Sequence, residues 1–185
     1  MMNGSGKTLK GARFVAYTAL AAASLTAGKF VLSAIPNVEI VTLLCAVYGF
    51  VLGAQGVLAT CIFVACETLI YGLGPWVISY AIHWPAVALA FWLLSRFIKP
   101  SRVIPTIVAV IMTTSFGVLT ALVDVGLFSG FWDDFGQRFA IYYARGAVFY
   151  VTQIVCNALV FPLLFKPLTT FLNDRILKGT PKNRL

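Results

Sequence analysis

Charge is what this chain has least of. Only 11% of its 185 residues are Asp, Glu, Lys or Arg, against 60% hydrophobic, and its mean hydropathy is +0.91. Polar surface this sparse does not clothe a water-soluble globule, so the bilayer is the expected solvent. Histidine is nearly missing too: His83 stands alone, which excludes His-based metal clusters and the HExxH signature. The four cysteines, Cys45, Cys61, Cys66 and Cys156, lie inside apolar runs without CxxC spacing, so neither a disulfide framework nor a metal site is expected. No serine or cysteine sits in a nucleophile motif. A complete phosphate-binding loop is also lacking. Gly6-Lys7-Thr8 resembles the end of one, but the position five residues before Gly6 is Met1 and no strand precedes it. The chain is therefore not expected to use ATP by itself, and the expected set of catalytic residues, metals and covalently bound cofactors is empty.

What is present is apolar sequence in long runs. A spanning helix needs roughly 20 mainly apolar residues, which leaves room for about six in a single membrane domain, residues 1–185. The first covers about 12–35; it is longer than a secretory signal core and is expected to be retained. It stops at Pro36-Asn37, because proline withholds a donor and pushes its predecessor out of helical geometry. The second covers 38–52, and Gly53-Ala54-Gln55-Gly56 returns the chain into the third, 57–71. Gly72-Leu73-Gly74-Pro75 turns it again into the fourth, 76–94. The fifth covers 103–128 and the sixth 139–165, with breaks expected at Pro162 and Pro167.

The net charge of +8 is confined to three places. Lys7, Lys10 and Arg13 precede the first span, Arg96, Lys99 and Arg102 occupy the loop after the fourth, and Lys166, Arg175, Lys178, Lys182 and Arg184 form the tail. Clusters that alternate in this way are a topology signal rather than a nucleic-acid surface, and they predict cytoplasmic N and C termini. Arg138 slightly blurs that asymmetry. The expectation is an all-α, multi-pass protein of a bacterial cytoplasmic membrane, a six-helix bundle with lipid around it and no nucleic-acid partner.

A charge inside a bilayer costs about 2.5 to 3.5 kcal/mol even on lenient scales, so the few that occur there need a purpose. Lys29, Glu67 and Asp124 fall late in outward-running spans, and Glu39, His83 and Arg145 fall early in inward-running ones. All six therefore belong to the outer half, which predicts a shared polar cavity open to the outside. Mutual pairing or snorkelling is the plainer alternative for each one singly. Around them lie Tyr71, Trp76, Tyr80, Trp84, Trp132, Tyr142 and Tyr143, suited either to a flat ligand or to an interfacial aromatic belt. With Asn37 beside Glu39, the expected substrate-binding set is Asn37, Glu39, Glu67, Tyr71, Trp76, Tyr80, His83, Trp84, Asp124, Trp132, Tyr142 and Arg145. On the first span Ala12, Ala16, Ala19, Ala23 and Ala27 form a face of small residues. It suits close packing within the chain or docking of a second membrane subunit.

Several stretches resemble the substrate-binding subunits, or S components, of energy-coupling factor (ECF) vitamin transporters. They are the alanine-rich first span, Pro36-Asn37-Val38-Glu39, the run from Glu67 through Tyr71 and Gly74 to Trp76, and the ending Asn157 through Pro162 and Pro167 to Leu168. The resemblance implies a six-helix subunit with a vitamin site near the outside. It also implies a transmembrane coupling (EcfT-type) subunit driven by two ATPase subunits, with Ala19 and Ala23 as docking positions and toppling in the membrane to release the ligand inward. It leans towards the cobalamin-specific branch, with pyridoxine, a hydroxymethylpyrimidine or pantothenate as other substrates. Outside that family, the same charges suit a stand-alone carrier or channel, or an intramembrane enzyme using Glu67 or Asp124 as acid or base.

Overall fold

The computed structural model describes residues 11–35, 38–130 and 132–177, and among them there is no strand. Five helices are long and apolar enough to cross a bilayer: α1 (Ala12–Leu32), α3 (Ala54–Tyr71), α4 (Trp76–Leu94), α5 (Val103–Val123) and α6 (Phe135–Leu177). A π-helical turn, Asp124–Phe128, prolongs α5. The remaining helix, α2 (Val41–Leu52), has only 12 residues. This is the architecture of a multi-pass membrane protein, with the polar backbone satisfied inside each helix.

α2 is the axis of the bundle. It is apolar on nearly every face, as a fully enclosed helix should be, and it touches each of the other helices. Its closest neighbour is α4. A Cβ added at Gly49 would stand 2.0 Å from the carbonyl oxygen of Ala88, so the bare glycine is what allows the two backbones to meet. Towards the α2–α3 turn, Phe50, Phe91, Phe161 and Phe165 interlock, with ring centroids 5.4 to 5.8 Å apart. That end of the bundle is closed by large apolar side chains.

The helix limits differ from the sequence expectation in informative ways. The four-residue return shrinks to Gly53 alone, at φ +62°, and α3 begins at Ala54 rather than 57. Gln55 is thereby drawn into a helix, where its amide donates to the Phe14 carbonyl (2.9 Å) and the Thr18 hydroxyl (3.0 Å) of α1. The expected breaks at Pro162 and Pro167 do not occur: α6 runs unbroken through both, from Phe135 instead of 139 to Leu177 instead of 165. Membrane helices tolerate proline where packing replaces the lost bond. Here Phe161, Phe165 and Thr169, one turn apart and fully buried, anchor the helix across both prolines. At 43 residues, α6 is about 64 Å long, roughly twice the hydrocarbon thickness, so it extends past the apolar layer.

Candidate functional site

A helix of 12 residues rises only about 18 Å, against a hydrocarbon core of about 30 Å. α2 therefore starts part-way through the bundle, three residues later than the expected 38. Val38, Glu39 and Ile40 lead into it, and a cavity of about 190 Å³ opens between Val38, Glu39 and Val41 on this side and Lys29, Leu32, Ser33 and Ile35 at the end of α1. Lys29, Ser33, Glu39, Tyr80, Trp84, Phe116 and Gln153 are among its walls. These residues come from α1, α4, α5, α6 and the approach to α2, at the end of the bundle that the charge pattern assigns to the outside.

Two carboxylates define the polar side of the site. Glu67 of α3 is 1% exposed, and Lys29 of α1 donates a short hydrogen bond to it across the helix pair. The Lys29 ammonium also lies 4.8, 5.7 and 4.9 Å from the ring centres of Tyr71, Trp76 and Tyr80. Its charge is thus held by one buried carboxylate and three aromatic rings, an arrangement that desolvation strengthens. Glu39 is held differently, by neutral donors. The Thr42 backbone N–H (2.8 Å) and hydroxyl (2.5 Å) donate to it, which caps the first turn of α2, and Asn157 Nδ2 donates from α6 at 2.9 Å. Asn157 also donates to Thr113 of α5 at 3.0 Å.

Of the residues expected at the site, Lys29, Glu39, Tyr80 and Trp84 line the cavity, while Glu67, Tyr71 and Trp76 hold Lys29 from behind. His83 sits outside the lining. It is 3% exposed, with its ring 4.8 Å from Trp84 and 4.6 Å from Phe116, in the packing that backs the wall. Asp124, Trp132, Tyr142 and Arg145 stand elsewhere. Tyr142 donates to Asp124 at 2.6 Å, Trp132 is 67% exposed beside Phe135, and Arg145 is exposed on α6. The register of α5 against α6 explains the separation. Thr113 meets Asn157 at the depth of Glu39, and Asp124 lies three helical turns further along α5, about 16 Å away. The expected convergence of six ionisable groups on one cavity is therefore narrowed to Lys29, Glu39 and Glu67. Asn37 lies outside the described residues.

The alanine face also resolves. Ala12, Ala16, Ala19, Ala23 and Ala27 are all exposed, whereas Thr18, Ala21, Ala22 and Leu25 carry the packing of α1 into the bundle. Small-residue packing within this chain is thus not the role of that face. Ala23 and Ala27 border an open apolar groove of about 520 Å³ between α1 and α3, which reaches Tyr71.

Sequence reasoning did not place Phe116, Gln153 or Asn157 at the site, although Asn157 opens the ending quoted for the family resemblance. Gln153 and Asn157 carried a usable signal, being amide side chains four residues apart in an apolar run and so on one helix face. Phe116 carried none, since a phenylalanine in a spanning helix normally faces lipid or core. Among the described residues no group of three or more His, Cys, Asp or Glu is placed to hold a metal ion. Neither a family model, nor a curated protein, nor a solved structure matches the chain.

Proposed function

We propose that this chain is the substrate-capturing subunit of a multi-subunit importer: a six-span protein, both termini cytoplasmic, that binds one small organic solute from outside a bacterial cytoplasmic membrane. The observation that carries this reading is the cavity beside the start of α2, whose walls come from five parts of the bundle and combine the polar groups of Lys29, Ser33, Glu39 and Gln153 with three aromatic side chains, Tyr80, Trp84 and Phe116. Ligand sites of this kind combine apolar and aromatic walls with a few fixed polar groups. The opposite end is sealed by the phenylalanine cluster, which favours capture from one side over a continuous channel.

The resemblance to ECF S components supplies the rest: a vitamin as substrate, an EcfT-type coupling subunit, two ATPase subunits that hydrolyse ATP, and Ala19 and Ala23 as the contact with the coupling subunit. Exposure of both alanines is what that assignment needs. Cavity size favours the smaller vitamins. About 190 Å³ suits a single-ring molecule such as pyridoxine or a hydroxymethylpyrimidine, whereas cobalamin is several times larger and would require the helix ends to part. The proposed substrate is accordingly a single-ring vitamin.

Purification of the tagged chain from its native membrane, with identification of bound subunits and bound small molecule, tests partner and substrate together. Stoichiometric recovery of one vitamin and an ATPase module is the expected result. Uptake by the protein alone in liposomes, with no ATPase required, would sink this assignment in favour of a stand-alone carrier. Ala19→Trp and Ala23→Trp should abolish recovery of the coupling subunit while leaving the ligand bound.

A further inference from the structure

We infer that the ligand of this cavity carries a positive charge on or beside its ring, and that Glu39 is its counter-ion. The inference rests on the capture function proposed above and adds the charge class of the substrate. Among the described residues three formal charges belong to the site: Lys29 at +1, Glu67 at −1 and Glu39 at −1, a sum of −1. Lys29 is the single cationic side chain among the described residues lining the cavity, and it is already committed to Glu67. If it turned to an anionic ligand, it would strand Glu67, 1% exposed, without a counter-charge.

Glu39 has no such partner among the described residues. Its donors, the Thr42 N–H and hydroxyl and the Asn157 amide, are all neutral, and the positive end of α2 beside it contributes a partial charge only. Two carboxylate oxygens offer about four acceptor positions, of which these donors fill three, so one remains for a ligand. The walls agree in sign. Trp84 and Phe116 line the cavity beside Tyr80, whose ring already holds Lys29, and aromatic π systems attract cations rather than anions. An anionic ring in the same space would meet a carboxylate and aromatic rings, with no uncommitted cation among the described lining residues to offset them. The class that fits is a flat heteroaromatic ring bearing a protonated amine or a protonated ring nitrogen.

The test is calorimetric titration of the full chain in lipid nanodiscs with triplets that share one ring and differ in charge. One triplet is pyridoxamine, pyridoxine and 4-pyridoxate; another is 3-(aminomethyl)pyridine, nicotinamide and nicotinate. Within whichever triplet binds best, the cationic member should bind at least about tenfold more tightly than the anionic one. Glu39→Gln should remove that preference, bringing the cationic and anionic members within about threefold of one another. An anionic member binding equally or more tightly would overturn the charge assignment and leave the capture function standing. So would a cation preference that survives Glu39→Gln. If no member of any triplet bound a folded protein, single-ring capture itself would fall, and the charge assignment with it. Should Glu39→Gln not fold, the wild-type ranking alone decides.

Discussion

Asn157 and Glu39 lie 118 residues apart in the chain and meet at 2.9 Å, tying the middle of α6 to the first turn of α2. The orientation of the Asn157 amide follows from the chemistry of its neighbour: a carboxylate accepts only, so the NH₂ group must face it. Asn157→Asp would set a second carboxylate against the first. That variant should lose ligand binding and about 1 to 3 kcal/mol of stability. Asn157→Gln, which keeps the donor on a longer arm, should retain part of both. Thermal unfolding in detergent, together with titration of the bound ligand, separates the two variants.

The pair between Lys29 and Glu67 gives a sharper expectation, because one member is almost fully buried. Lys29→Met should cost about 3 to 5 kcal/mol by leaving Glu67 uncompensated, while the double replacement Lys29→Met with Glu67→Met should recover most of the loss. A double-mutant cycle on unfolding midpoints measures the coupling. Near-additive single effects would show that the pair is not a unit.

Gly49 should tolerate no side chain at all. Even the methyl group of Gly49→Ala would reach the Ala88 carbonyl, forcing α2 away from α4 at a cost of about 1 to 3 kcal/mol. Since both helices border the cavity, ligand affinity should fall along with stability. Unfolding midpoint and dissociation constant, measured on the same preparation, check the two effects together.

The hairpin of α5 and α6 provides the contrasting case. Asp124, Tyr142 and Arg145 belong to the far ends of α5 and α6, clear of the cavity. Asp124→Asn, Tyr142→Phe and Arg145→Ala should therefore leave ligand affinity within about twofold, as expected for sites that share no partners. A tenfold loss in any of them would return that residue to the site.

Much of this arrangement was legible in the residues. The limits of α4 follow from Gly74-Pro75 before it and Lys99-Pro100 after it, and 76–94 is the observed helix. Lys29, Glu39 and Glu67 stand out because charge is so scarce in apolar runs. What remained hidden depends on register between helices. Nothing local to Asp124 says that it sits three turns beyond Glu39; that follows from Thr113 meeting Asn157. Nor does the sequence around Pro162 and Pro167 reveal that Phe161, Phe165 and Thr169 carry the helix past both prolines. The same holds for Phe116, whose neighbours Trp84 and His83 are more than thirty positions earlier in the chain.

The claim on which the others depend is that the cavity beside α2 is wet and opens to the outside. Gln153→Cys, in a background with Cys61, Cys66 and Cys156 replaced by alanine, places a thiol on the cavity wall. A membrane-impermeant maleimide added to right-side-out vesicles should label it, and the bound ligand should block the reaction. Leu159→Cys, 62% exposed on the outer surface of α6, should stay unlabelled at its lipid-facing position. A Gln153→Cys thiol that resists the reagent from outside, or that reacts only from the cytoplasmic side, would contradict the account.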